Sequence, residues 1–391
     1  LPAPETGDEN PSGPESEPAW NRDRPFPARL AENRRLTATD SDKDVRHFVV
    51  DLRDSGIAYE PGDALGVWPE NDPNLVRDVL DALGFDGSES VPDRHGRATR
   101  LDLALRRDYD ITRIPRSLLA HAARESGDAA LAEVVSPTAN GALDRYLRGR
   151  DVLDLLREQT GVRPSPSEFV ALLRKIQPRL YSIASSPKLH PTSVHLCVNV
   201  VRYAALGRAR QGLASAWLAD RVDSASEVPV YIHANPAFRP PSADQRLIMI
   251  GPGTGVAPFR AFLQERRATG ARGLNWLFFG APHARSEFLY ADELRAWEGD
   301  GLLHRLDLAW SRDQDEKVYV QHRMREQATI LWDWLESGAA VYVCGDASRM
   351  AKDVDAALHD VIRGAGGRSV DDAAAYVNRM VAEGRYRRDV Y

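Results

Sequence analysis

Leu247-Ile248-Met249-Ile250-Gly251-Pro252-Gly253-Thr254-Gly255-Val256-Ala257-Pro258 is the stretch whose reading decides the fold of this chain. Four apolar residues of the buried-strand type run straight into a glycine turn. Phe259-Arg260-Ala261-Phe262-Leu263-Gln264-Glu265-Arg266 continues as a helix. Strand, glycine turn and helix in that order form the local context that a dinucleotide site requires. The spacing here is Gly-x-Gly-x-Gly, one residue tighter than the common fingerprint, and Pro258 suits the first turn of the helix. The alternation then continues. Residues 275–280, 302–310 and 341–346 read as strands, with helical sequence between them. That pattern predicts a parallel, doubly wound sheet with its ligand at the carboxyl ends of the strands. Ser311, Arg312, Cys344 and Asp346 all fall at such ends.

Ser311-Arg312 and Lys317-Val318-Tyr319-Val320-Gln321 place two cations, a hydroxyl, a phenol and an amide close together. The 2′-phosphate of NADPH calls for that chemistry; the free hydroxyls of NADH would call for an acidic partner, and no Asp or Glu clearly takes that place. The plain alternative is a solvated charged loop, since Asp313, Asp315 and Glu316 dilute the positive charge.

Upstream lies Arg179-Leu180-Tyr181-Ser182-Ile183-Ala184-Ser185-Ser186-Pro187. A flat, anionic, redox-active ligand needs this mixture: an arginine for a phosphate, a tyrosine to cover a ring and a hydroxyl to reach a ring nitrogen. Alternation on a strand puts Arg179 and Tyr181 on one face and Ser182 on the other. The alternative is a buried strand with a paired arginine and a core tyrosine. Gly212-Leu213-Ala214-Ser215 opens a helix, and the free N–H groups of such an end form a second grip on a phosphate. As a bare pattern it is weak, because many helices begin with Gly or Ser.

The remaining segments frame these motifs. Val45-Arg46-His47-Phe48-Val49-Val50-Asp51-Leu52, the Pro61-Gly62-Asp63 turn, residues 65–68 and residues 194–203 read as short strands of a small antiparallel barrel. Between about 71 and 175, Leu and Val recur at helical spacing, as in Leu75, Val76, Val79, Leu80 and Leu83. This reads as a helical insert within the barrel. Residues 1–20 hold five prolines, five acids and no Lys or Arg, a composition expected of a disordered tail or linker.

The 391 residues suggest two or three domains, and 43% hydrophobic with 28% charged residues is an ordinary globular balance. The formal net charge of -6 argues against a nucleic-acid partner. No apolar run has the length of a membrane span and no signal segment is evident, so a cytoplasmic location is expected. Cys197 and Cys344 are the two cysteines, which fits a reducing compartment, and no His/Cys cluster has metal-ligand spacing. A chain beginning at Leu1 is expected to be a processed form or a piece of something longer.

Taken together, Asp44-Val45-Arg46-His47, Pro61-Gly62-Asp63-Ala64-Leu65-Gly66-Val67-Trp68, residues 179–186, residues 251–255, Ser311-Arg312-Asp313-Gln314, residues 317–321, Cys344-Gly345-Asp346 and Arg388-Asp389-Val390-Tyr391 resemble the ferredoxin–NADP reductase family. The similarity is greater to its diflavin members, cytochrome P450 reductase, the nitric-oxide synthase reductase module and, nearest, the sulfite reductase flavoproteins. It covers the chain from about residue 27 to the end.

The resemblance implies an α+β and α/β protein: an antiparallel FAD-binding β-barrel over residues 25–240 with the helical connecting insert, then a doubly wound parallel NADP-binding domain over 241–391, with residues 1–24 as tail or linker. It implies FAD contacts from Arg179, Leu180, Tyr181 and Ser182, from Cys197, Val198 and Asn199, from Gly212, Leu213, Ala214 and Ser215, and from Thr112, Tyr203 and Tyr391. NADPH contacts would come from Ser311, Arg312, Lys317, Val318, Tyr319, Val320, Gln321 and Asp353. Ser182, Cys344 and Asp389 would position the nicotinamide and tune hydride transfer, and Tyr391 would cover the flavin.

A full diflavin reductase begins with a flavodoxin-like FMN domain, and nothing before Trp20 reads as one. FMN is therefore expected on a missing or separate domain or a flavodoxin-like carrier, with a sulfite reductase hemoprotein as the next partner. Two other readings stay open. One is a stand-alone ferredoxin or flavodoxin reductase, which the large insert speaks against. The other is a non-catalytic assembly subunit, which would be colourless.

Overall fold

The computed structural model describes residues 20–136 and 141–391. Of the tail or linker expected over residues 1–24, residues 1–19 lie outside the described residues, and the last five rest against the barrel. Trp20 Nε1 donates to Ser55 O at 2.8 Å, its ring meets Phe26 edge-on, and Trp68 Nε1 donates to Arg22 O at 3.0 Å. An aromatic anchor with its N–H satisfied holds this segment onto the barrel.

The barrel is a six-stranded antiparallel sheet. Its strands are β1 (Phe26–Arg35), β2 (Asp44–Asp51), β3 (Ala64–Val67), β4 (Arg179–Ser182), β5 (Ser193–Val200) and β6 (Glu227–His233), in the spatial order β4-β3-β6-β1-β2-β5. A bridge between Ile183 and Leu196 joins the two edge strands and closes the sheet, which removes the edges that would otherwise expose unpaired backbone. Phe48, Val50, Leu65, Val194, Leu196 and Val228, all fully or nearly fully buried, fill the interior.

The expected strand over residues 194–203 is interrupted. β5 ends at Val200, and Arg202–Ala205 pairs with Arg208–Gln211 as a separate hairpin. Leu206 and Gly207 have φ of 51° and 71°, the paired left-handed residues of a tight hairpin turn.

The insert is helical as expected, with small strands at its margins. It has its own core, running from Val76 to Leu173. Asp151 and Ser165 each open a helix with a reciprocal capping box.

The second sheet contains β7 (Leu247–Ile250), β8 (Asn275–Ala281), β9 (Arg305–Trp310), β10 (Ala340–Gly345) and β11 (Tyr386–Val390), in the order β9-β8-β7-β10-β11 and parallel throughout. This is the doubly wound arrangement read from the alternation. β9 begins at Arg305, three residues later than expected. The winding direction reverses between β7 and β10, and at such a switch point loops diverge and leave a crevice.

The two sheets share one apolar junction. Val45, Ala184 and Cys197 of the barrel pack in the same cluster as Leu247, Met249, Phe259, Tyr342 and Cys344. Around it, His47 Nδ1 lies 2.9 Å from Tyr290 Oη, and Arg260 donates to Ala184 O at 2.6 Å and pairs with Glu293 at 2.7 Å. Among the described residues, no helix is long and apolar enough to cross a membrane.

Candidate functional site

The glycine turn sets the floor of the site. Residues Gly253–Val256 form one turn of tight helix, followed by α2 (Ala257–Ala268) with Pro258 in its first turn. A Cβ on Gly255 would lie 2.2 Å from Cys344 O, so only glycine lets this turn sit against β10. Gly253 has φ +56° and faces open space, where a ligand has room.

Above that floor lies a cleft of about 630 Å³. Ser311, Arg312, Lys317, Tyr319, Val320, Gln321 and Asp353, all expected at the coenzyme, line it together. Neither the Arg312 guanidinium nor the Lys317 ammonium has a hydrogen bond or ion pair among the described residues. One of the three acids that would dilute them is occupied elsewhere: Asp313 binds His283 Nδ1 at 2.8 Å and accepts from Ala284 N at 2.7 Å. Gln321 is held by Asp353 through a 3.2 Å hydrogen bond. Val318 does not join the lining; its side chain packs against the core of the second sheet, so only its backbone remains for a ligand.

A second, smaller cleft of about 320 Å³ continues from the first, sharing Lys43, Pro252, Gly253, Ala281 and Asp346 with it. It reaches Asn199, Thr254 and Tyr391. Tyr391 is 66% exposed. Its hydroxyl lies 3.2 Å from Thr254 Oγ1, and its backbone pairs with Gly345 and Ala347.

Beside Tyr391 the chain brings together three residues far apart in sequence. Cys344 and Asp389 are register partners on β10 and β11, and Ser182 ends β4 of the barrel. Ser182 Oγ donates to Asp389 Oδ2 at 3.0 Å. Burial raises the Asp389 carboxyl above the usual range, and the Ser182 hydrogen bond works against that shift. Cys344 is fully buried; burial and the neighbouring Asp389 push its thiol well up, so it stays neutral.

On the barrel side, Arg179 is half-buried with no hydrogen bond or ion pair among the described residues, while Tyr181 packs against the barrel core and Leu180 is exposed. The helix α1 (Leu213–Asp220) begins at Gly212 with no side-chain cap, which leaves its first N–H donors free. A Cβ on Gly212 would come within 2.6 Å of Ser215 Oγ and 3.0 Å of Val201 Cβ. An uncapped, glycine-lined helix end with a free arginine on the same barrel is donor chemistry that fits a pyrophosphate.

Thr112 of the insert, Tyr203 of the hairpin and Leu213 line one further pocket of about 190 Å³. The side chains of Cys197 and Val198 lie in packed cores, where burial pushes the Cys197 thiol up to about 12, so any ligand contact from them would come from the backbone. Asn199 alone of that trio faces a cleft.

Lys43 was not legible as a site residue. It lines both clefts, yet it arrives on a barrel loop more than 200 residues before them. Arg349, at the start of the helix Met350–Gly364, was missed as well.

Comparison with known proteins agrees with this geometry. The FAD binding domain model matches residues 18–217, and the oxidoreductase NAD-binding domain model matches residues 249–356. The sulfite reductase [NADPH] flavoprotein alpha-component of Bacillus subtilis is 45% identical over 377 residues, which is 96% of this chain and 62% of that protein. Its namesake in Zymomonas mobilis is 47% identical over 374 residues, covering 95% and 61%. That of Neisseria meningitidis serogroup A is 45% identical over 394 residues, covering 100% and 64%. The chain thus spans about three-fifths of the length of the curated relatives it matches. With half of its residues in the first match and most of the parallel sheet in the second, the chain belongs to the FAD binding domain family and couples that domain to an oxidoreductase NAD-binding domain.

Proposed function

We propose that this chain is the FAD- and NADPH-binding part of a sulfite reductase-type flavoprotein. The observation that carries the reading is the continuity of the two clefts: unpaired cations line one end, and Tyr391, beside Ser182 and Asp389, stands at the other. Arg312, Lys317 and Ser311 would hold the 2′-phosphate, with Tyr319 against the adenine. Arg179 and the first turn of α1 would hold the FAD pyrophosphate. Bound FAD supplies the chemistry, accepting a hydride from nicotinamide and passing electrons on singly.

The chain's own residues act on geometry and charge. Ser182 and Asp389 fix each other where the two rings would meet. Burial raises the Asp389 carboxyl and the Ser182 hydrogen bond opposes that shift, so Asp389 would place an oriented carboxyl beside the reacting atoms. The neutral Cys344 thiol would support that pair from below. Tyr391, its backbone fixed to Gly345 and Ala347 and its ring tied by one 3.2 Å hydroxyl contact to Thr254, would cover the flavin and swing its ring aside for nicotinamide.

Electrons would leave to an FMN domain or flavodoxin-like carrier and then to a sulfite reductase hemoprotein in the cytoplasm. The names of the relatives support that partner. A stand-alone reductase is less well supported, because the insert has a full core of its own.

The test is direct. The purified chain should be yellow and reduce ferricyanide with NADPH in preference to NADH. Arg312→Gln should raise the KM for NADPH roughly tenfold while leaving that for NADH in place. A colourless protein, or equal use of both coenzymes by the parent, would overturn the reading.

A further inference from the structure

Lys43 reaches the mouth of the coenzyme cleft from the barrel, but it is not free there. Its ammonium lies 3.4 Å from Glu287 Oε2, a carboxylate of the second domain whose side chain is 5% exposed. The other oxygen, Glu287 Oε1, accepts from Ser41 Oγ at 3.1 Å. Hydrogen bonds to the backbone hold both ends of this contact: the Thr37 hydroxyl donates to Lys43 O at 2.8 Å, and Ala38 N donates to Ser286 O at 2.9 Å. Arg285 and Asp40 pair outside it. A strap therefore crosses the domain boundary beside both clefts, with one cation and one buried carboxylate at its inner end.

We propose that Glu287 is a positioning residue that keeps Lys43 aimed at the cleft and surrenders it to a phosphate of the incoming dinucleotide. This rests on the reading of the cleft as the NADPH site. A phosphate bound by the Lys43 ammonium would sit close to the Glu287 carboxylate and be repelled by it, so the two anions compete for the lysine. Glu287 is also a fixed negative charge next to the arriving anion. It thus lowers affinity in exchange for a pre-oriented lysine, and its release couples coenzyme binding to the strap between the domains.

The sign of the effect makes the test. NADP+ is titrated into the FAD-loaded full chain by calorimetry. Glu287→Gln keeps the Ser41 hydrogen bond and removes the charge, so binding should tighten roughly two- to fivefold. A merely structural role would weaken binding or leave it alone. Lys43→Gln should weaken binding, and adding Glu287→Gln to it should tighten it clearly less than in the parent, because the lysine is what the carboxylate chiefly acts through and only its direct repulsion of the anion remains. Weaker or unchanged binding in Glu287→Gln, or an undiminished effect in the double variant, overturns the proposal. If Arg312→Gln still weakens binding in that case, the cleft reading survives without Glu287. If Arg312→Gln and Lys43→Gln are both silent, the cleft reading falls and this proposal with it.

Discussion

The proposed coenzyme cleft and the junction beside it are built on opposite plans. The cleft is local. Most of its walls come from the ends of parallel strands and the loops after them, and among the described residues its Arg312 and Lys317 stand unpaired while Lys43 is held by Glu287. The junction is assembled from afar. Ser182 meets Asp389 across 207 residues, and Cys344 stands beneath them without exposed surface. Open, unpaired charge suits a ligand that must enter and leave. Buried, mutually bonded groups suit two rings that must be held in a fixed relation.

Gly255 is where the two regions touch, so it offers the harshest test. Any side chain there meets the backbone of Cys344 at 2.2 Å. Gly255→Ala should cost about 3 kcal/mol in chemical denaturation and impair both regions at once. A stable variant with only coenzyme binding lost would mean that the turn and the junction are independent.

Ser182→Ala separates them from the other side. It removes the 3.0 Å bond to Asp389 and touches no wall of the coenzyme cleft. Flavin reduction in stopped flow should slow by roughly ten- to a hundredfold with FAD retained. If NADP+ affinity fell in step, the division drawn here would be wrong.

The smallest effect concerns the interface on which both regions rest. Burial first, and then Arg260, holds His47 down at about 3; burial, His190 and Arg260 hold His195 down at about 2. Both imidazoles are therefore neutral in the folded protein, while the unfolded chain binds protons below about pH 6.5. The stability they contribute is complete above that value and is lost as pH falls toward about 3. Each imidazole adds at most about 1.4 kcal/mol per pH unit to that slope. His47→Gln should flatten the acid limb of an unfolding curve, and an unchanged slope would mean that His47 titrates freely in a wet interface.

Sequence alone fixed the parallel sheet, because a buried strand, a glycine turn and a helix are each specified by neighbours in the chain. It also grouped Ser311, Arg312, Lys317, Tyr319 and Gln321, since one loop and the helix start after it carry them all. The hairpin break at Val201 was missed because Leu206 takes a left-handed conformation that its residue type does not advertise. That the side chains of Cys197 and Val198 both lie in packed cores was not legible either, because alternation gives two faces and does not say that both are covered.

What only the tertiary structure decided is which distant residues share a space. The register of β10 with β11 set Cys344 beside Asp389, and closure of the barrel against the second sheet delivered Ser182 to them. The same closure carried Lys43 to a cleft made by the other domain and put Glu287 in its path. Propensity and periodicity act over a few residues, whereas the apolar junction that joins the domains is a property of the whole buried surface.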